Sequence, residues 1–482
     1  MRIKKDAGNT DEKTRRENNM QKENKMGVMP VNRLLVSMSV PMVISMLVQA
    51  LYNVVDSIFV AQISENALTA VSMAFPVQNL MIAVGSGTGV GINALLSRSL
   101  GAGEFDRANK AANNGAFVGL ISSAIFIIFG IFGARYFFES QTGISEIVDY
   151  GEEYLLVCCS FSFALLGQMT FERLLQSTGK TIYSMYTQSI GAVVNIALDA
   201  ILIFGLFGFP RLEVLGAAIA TVIGQGTAML LALYFNKKKN HEIKLSLKKF
   251  RPDGAIIRTI YYVGVPSILM IAISSIMTYG MNRILIGFSA TAVAVFGVYF
   301  KMQSFVFMPV LGLNNGMVPI IAYNYGAENK ERIMKTLKLS ILYSVGIMLV
   351  GIMAFQFLTE NLLYMFSASE NMMAIGIPAL RTISLSFLLA GVCIVLISVF
   401  QALGSSMKSL IVSASRQLAV LLPAAYLLSL SGSLEAIWWA FPIAEVVSFI
   451  LCIIFMKQVY DQKIKRLDGT VMGRKIPEVN VN

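Results

Sequence analysis

Two aspartates are the residues of this sequence best placed to do chemistry, because both stand inside apolar runs. Asp56 lies in the run 34–61 and Asp199 in the run 181–207. A carboxylate near the centre of a membrane-crossing helix costs about 2.5–3.5 kcal/mol, so it must face a partner or a water-filled cavity. By the helical rise both sit roughly 8–12 Å below the outer surface of a bilayer. Each has an amide on its own helical face, Asn53 at i−3 from Asp56 and Asn195 at i−4 from Asp199. Thr221, in the run 213–235, reaches a similar depth. Two carboxylates in a poorly solvated site cannot both ionise cheaply, so the cluster suits proton exchange. Its carboxylate, amide and hydroxyl oxygens suit a sodium ion at Asp56/Asp199 equally well. The plainer alternative makes Asp56 an interfacial residue bonded to Asn53, without a transport role.

The second half carries a different set of charges. Lys301, Arg381 and Glu445 lie roughly 13–15 Å below the same surface by the same rise, with Arg416 nearer the inside. An unpaired buried charge is costly, so Glu445 is expected to pair with Arg381 or Lys301. Such a pair could be a structural lock or take part in coupling. No catalytic cluster accompanies these charges. The one histidine, His241, stands in a basic stretch, and the four cysteines (Cys158, Cys159, Cys393, Cys452) lie inside apolar runs without metal-ligand spacing. No enzymatic activity and no cofactor beyond a coupling ion are expected.

The elements that must position these residues follow from composition. Charged residues make up 14% of the 482 positions and hydrophobic ones 55%, against about 25% charged in soluble domains. A spanning helix needs about 20 mostly apolar residues. Runs of that length fall near 34–61, 68–97, 114–138, 153–176, 181–207, 213–235, 261–288, 292–322, 336–358, 372–400, 408–431 and 435–457. An all-α polytopic membrane protein of twelve transmembrane helices is the expected fold. If both termini are cytoplasmic, 32 of the 39 lysines and arginines fall in inside segments (Arg173 among them, in 172–182) and two outside, Arg135 and Arg211. The net charge of +11 is therefore an orientation signal, and no nucleic-acid partner is implied.

A gapless offset of 225 residues aligns the two halves, with 11 identities in the 68 positions from 40 to 107. Pro41 matches Pro266, Gln78 matches Gln303, and Gly87/Gly91 match Gly312/Gly316. Six spans separate each helix from its copy, so the repeats are parallel, related by an axis along the membrane normal. Carriers built from repeats bind substrate at the repeat interface and rock one half against the other. The expected organisation is a disordered cytoplasmic arm 1–33, a six-helix N-lobe 34–235, a basic linker 236–258, a six-helix C-lobe 259–457 and a cytoplasmic tail 458–482. Gly85-Ser-Gly-Thr-Gly-Val-Gly91 lacks the lysine and preceding strand of a phosphate loop, and close helix packing is the better reading. With no ATP-hydrolysing domain in sight, the energy must come from an ion gradient.

With these residues assembled, the chain resembles the multidrug and toxic compound extrusion (MATE) family, most similarly the bacterial branch related to the DNA-damage-inducible F protein. That family belongs to the multidrug/oligosaccharidyl-lipid/polysaccharide flippase superfamily. The resemblance covers about residues 30–457. It is carried by Ser39-Val-Pro41, Leu51-Tyr-Asn-Val-Val-Asp56, Ser99-Leu-Gly-Ala-Gly103 and its copy Asn324-Tyr-Gly-Ala327, Asn195-Ile-Ala-Leu-Asp199 and Gly216-Ala-Ala-Ile-Ala-Thr221. It implies two six-helix lobes around a cleft and export of amphipathic, often cationic drugs in exchange for protons or sodium. Carried over residue by residue, the ion site falls on Asp56, Asn195, Asp199 and Thr221, with Tyr154 a possible extra, and Pro41 matches the proline at which span 1 bends. Other branches place acidic residues in span 7, and this chain has none there. The 30 phenylalanines and 27 methionines could in part line a forgiving cavity. Small amphipathic substrates and the bilayer are the expected partners, for a chain that can work as a monomer in the cell membrane. A flippase for lipid-linked oligosaccharide is the alternative, kept open by Lys301, Arg381 and Arg416.

Overall fold

The computed structural model describes residues 24–246, 250–366 and 368–467. The first half contains α1 (Val31–Ala61), α2 (Glu65–Gly101), α3 (Phe105–Glu139), α4 (Ser145–Ser160 with Ser162–Ser177), α5 (Thr181–Phe204) and α6 (Glu213–Lys239). The second contains α7 (Gly254–Leu285), α8 (Ala290–Gly326), α9 (Lys330–Phe357), α10 (Glu370–Ser384 with Phe387–Ala402), α11 (Ser406–Ser429) and α12 (Leu434–Ile464). Ten are each long and apolar enough to cross a membrane, and α4 and α10, bent by 45° and 50°, bring the total to twelve when each pair counts as one span. Outward-facing side chains such as Phe132, Phe207 and Phe357 are among the most exposed in the chain, as lipid contact requires.

The repeat is visible in local detail. α2 and α8 are both 37 residues long, with bounds displaced by 225. Each starts at a serine cap: Ser64 Oγ accepts from the Ala67 N–H and Ser289 Oγ from the Ala292 N–H, both at 3.0 Å. The breaks in α4, at Phe161, and in α10, at Leu385 and Ser386, also fall at equivalent places.

The glycine pairs lie on the seam between the halves. A Cβ on Gly87 would stand 2.4 Å from Ile268 Cγ1, and one on Gly91 would stand 2.1 Å from the Ile260 carbonyl oxygen, both on α7. On the other side of the pseudo-two-fold axis, Gly312 and Gly316 of α8 press on Val43 and Ser39 of α1, with Cβ–Cα separations of 2.6 and 2.8 Å. The ends of α2 and α8 cross as well: Gly101 faces the Tyr323 carbonyl and Gly326 the Arg98 carbonyl. Only glycine permits backbones this close, which is why a phosphate-loop look-alike occurs inside a span.

α1 changes allegiance along its length. Leu34, Leu35 and Met38 are buried in one cluster with Leu313, Met317 and Ile320 of α8, and Ser39 Oγ donates to the Leu313 carbonyl at 3.2 Å. α1 also packs on α5 of the first half, and near its end Phe59 meets Phe204. Proline removes one backbone hydrogen bond and crowds the preceding turn. Pro41 thus weakens α1 within the part that packs on α8, between Ser39 and Val43, although the helix is continuous there.

Two expectations about the connections change. Residues 1–23 of the expected disordered arm lie outside the described residues, but 24–33 are ordered. Lys25–Val28 form a short helix and Met26 is fully buried. The Met26 carbonyl accepts from Asn324 Nδ2 (3.1 Å) and Arg332 Nη2 (2.9 Å), and Asn24 Nδ2 reaches the Thr178 carbonyl (3.3 Å) and Glu242 Oε2 (2.5 Å). The segment is held because these polar side chains satisfy its backbone over an apolar seat. The basic linker also shortens: α6 continues to Lys239 and α7 begins at Gly254. What lies between docks on α3, where Asn109, Asn113 and Asn114 bond the backbone of Lys244, Ser246 and Asp253. Lys248 and Lys249 lie outside the described residues.

Candidate functional site

A cavity of about 640 Å³ lies inside the first half, walled by α1, α2, α4, α5 and α6. Among the described residues lining it, the second half supplies only Asn315. Its surface mixes methionines (Met42, Met46, Met81, Met169) with Tyr52, Phe75 and the amides Gln49, Gln78, Gln168 and Gln188. A soft apolar wall with scattered hydrogen-bonding groups suits amphipathic ligands.

Asp56 is on this wall with Asn53. No hydrogen bond joins them in the structure, and the Asp56 Oδ1 atom is buried without a partner. Asp199 lies one layer back, fully buried, and is not itself on the cavity surface. Asn195 and Thr221, 3% and 7% exposed, stand between it and the cavity. With its amide oriented to satisfy both atoms, Asn195 Nδ2 donates to Asp199 Oδ2 at 3.2 Å and Asn195 Oδ1 accepts from the Thr221 N–H at 3.1 Å. The Asp199 Oδ1 atom has no partner. Tyr154 is also on the wall, its hydroxyl accepting from Gln78 Nε2 at 2.8 Å. Each aspartate therefore keeps one buried oxygen that nothing among the described residues satisfies. Buried polar atoms are nearly always paired, and a proton or a small cation would complete both.

Sequence reasoning missed two charges at the other end of the cavity. The charge count treats Arg173 as an inside loop residue, but Glu172 and Arg173 both belong to α4 and both line the cavity. Glu172, 3% exposed, accepts from Thr187 Oγ1 (2.9 Å), Gln188 Nε2 (2.7 Å) and Gln168 Nε2 (3.1 Å). Arg173 Nη1 donates to Gln176 Oε1 and, across the seam, to Asn315 Oδ1, both at 3.0 Å. A signal was present: Gln168, Glu172 and Gln176 recur every four residues on a single helical face.

The second-half charges do not gather as expected. Glu445 pairs with Arg416, Oε1 to Nη1 at 3.0 Å, and not with Arg381 or Lys301. The reason lies in α11, where Ser415–Leu421 forms a π-helical stretch. That stretch packs against α12, which places Arg416 beside Glu445. Lys301 and Arg381 are exposed and make no ion pair among the described residues, and none of the four lines the cavity.

Comparison with known proteins places this geometry. The MatE family model matches residues 41–201 and 266–427, so its two copies start 225 residues apart. The multidrug export protein MepA of Staphylococcus saprophyticus is 29% identical over 356 residues, covering 73% of this chain and 78% of that protein. An FAD transporter of Shewanella oneidensis is 27% identical over 353 residues, covering 71% and 76%. A structure described as the outward-facing conformation of a multidrug resistance MATE transporter superposes with a TM-score of 0.86 at 26% identity, covering 93% of this chain and 99% of that one.

Proposed function

The chain belongs to the MATE (MatE) family of membrane transporters, and from that premise we propose that it is a cation-coupled antiporter. On this reading it exports amphipathic, often cationic drugs by alternating access, with protons or sodium as the counter-ion. The observation that carries the reading is the pair of aspartates, each with an unsatisfied buried oxygen, one on the cavity wall and one bonded to the wall through Asn195. Names of relatives point the same way, since the staphylococcal protein is a multidrug exporter.

Loading either aspartate with a cation removes a buried negative charge from the wall shared by α1, α5 and α6. Drug and cation would thus compete electrostatically for one cavity, which is the minimum an exchanger needs. The start of α1 is fastened to α8 and its remainder bears Asp56. A change of charge there acts on the same helix whose first part, through Val43, is packed on the second half. The second-half cations that keep the flippase reading open, Lys301, Arg381 and Arg416, stay off the cavity surface, and Arg173 is the basic residue among the described residues that line it. With Arg173 in the cavity wall, the other 31 lysines and arginines of the inside segments favour cytoplasmic termini, and on this reading the two lobes of one chain suffice for the cycle. The test is ethidium or fluoroquinolone export from cells under an imposed pH or sodium gradient. Export should follow one of the two gradients, and export indifferent to both would refute the coupling.

A further inference from the structure

The mechanism just proposed uses the acids of the cavity and leaves Arg173 unexplained. Its guanidinium is on the cavity surface, yet no carboxylate lies within 4.0 Å of it among the described residues. The adjacent Glu172 is turned to Gln168, Thr187 and Gln188. Both bonds that Arg173 makes leave from Nη1 and go to neutral amide oxygens, so Nε and Nη2 donate to nothing among the described residues. The space it fills is also kept open. A Cβ on Gly89 of α2 would stand 2.7 Å from Arg173 Cγ and 3.1 Å from Nε, so the side chain lies flat on a glycine surface. A buried charge inside a membrane protein is costly and marks a functional site by default. Arginine's planar fork is the side chain that matches an oxyanion with two parallel hydrogen bonds.

We propose that Arg173, held by Gln176 and Asn315 over Gly89, is an anion-recognising subsite of the cavity. It takes the carboxylate of an amphipathic cargo by paired hydrogen bonds. The proposal rests on the export reading and sharpens it. Asp56, near the end of α1, and Arg173, near the end of α4, occupy opposite ends of the cavity. Nη1 is engaged already, which leaves Nη2 and Nε for the cargo.

Binding to the purified full-length protein tests this without depending on coupling. The probes are a fluoroquinolone, whose own fluorescence reports binding, and its methyl ester, which keeps the amine and loses the carboxylate. Hydrogen bonds to a charged group are strong enough that Arg173→Gln should weaken the acid about 10- to 100-fold and leave the ester within about twofold. Arg173→Lys should recover part of the loss. Gly89→Ala keeps every charge but intrudes on the guanidinium, and should weaken the acid selectively too, which covers the case in which Arg173→Gln does not fold. Equal losses for acid and ester, or no loss for either, would overturn the proposal. Charge-selective binding without gradient-driven transport would overturn the antiport reading and leave this one standing.

Discussion

Alanine at both Gly101 and Gly326 is expected to push the two halves apart at the face where α1 begins. A Cβ on Gly101 would lie 1.9 Å from the Tyr323 carbonyl oxygen, and one on Gly326 would lie 2.0 Å from the Arg98 carbonyl oxygen. Ordinary contact begins near 3.4 Å, so each methyl group is about 1.5 Å too close, and both obstacles are backbone that no rotamer change can move. Overpacking of this kind costs about 1–3 kcal/mol per site. If the penalty exists only while the seam is closed, each alanine shifts the balance of closed and open arrangements by about 5- to 150-fold, and the pair by at least about 30-fold. Spin labels at Asp106→Cys and Glu331→Cys, exposed repeat-equivalent sites just past the crossing, would report the distance between halves. The double-alanine protein should move toward longer separations. Gly297→Ala, where an added Cβ meets nothing within 4 Å, should not. An unchanged distribution in a well-folded double variant would refute the claim that backbone packing closes this seam.

Other outcomes follow from the same contacts. Arg416→Met strands Glu445 in a site where the pair is 20% and 12% exposed; it should cost about 3 kcal/mol, discounted for that exposure. Arg416→Met with Glu445→Met should recover most of that in a thermal melt, and a double variant as unstable as the single one would contradict a simple ion pair. Arg332→Gln withdraws donors from the Met26 and Met29 carbonyls and should speed proteolysis near residue 26, whereas Arg107→Gln, at the exposed repeat-equivalent position, should not. Asp253 caps α7, and the Ile256 N–H, then Lys110, hold its carboxyl below the ordinary aspartate value. Its stabilising effect is present at neutral pH and lost as pH falls through that lowered value. Asp253→Ala should therefore lower the melting temperature at pH 7, and the difference should close on acidification below the usual aspartate range.

The sequence carried most of the architecture because a bilayer leaves few options. Spans announce themselves by length, and the 225-residue offset survives in the caps Ser64 and Ser289 and in the paired glycines. Asp56, Asn195, Asp199 and Thr221 stood out because an acid in an apolar run is expensive wherever it points. Glu172 and Arg173 were lost because they lie near the end of a span, where charge ordinarily means solvent. Only the fold turns that end of α4 inward over Gly89. The partner of Glu445 is not legible from depth, because depth does not say which way a side chain faces: Lys301 and Arg381 turn outward, and Arg416 reaches Glu445 from a π-helical stretch of α11 that packs on α12. The ordered segment after residue 23 was equally hidden, since its seat is built from Asn324 and Arg332, about three hundred positions away.

The central claim is that the first-half aspartates link cation movement to drug movement. The most direct measurement is drug-dependent cation flux and cation-driven drug uptake in proteoliposomes, comparing the wild type with Asp199→Asn and Asp56→Asn. Purified protein from the same preparations serves for drug binding. The wild type should exchange drug for protons or for sodium, and both variants should still bind drug but exchange neither. Asparagine variants that keep full gradient-driven exchange would contradict it.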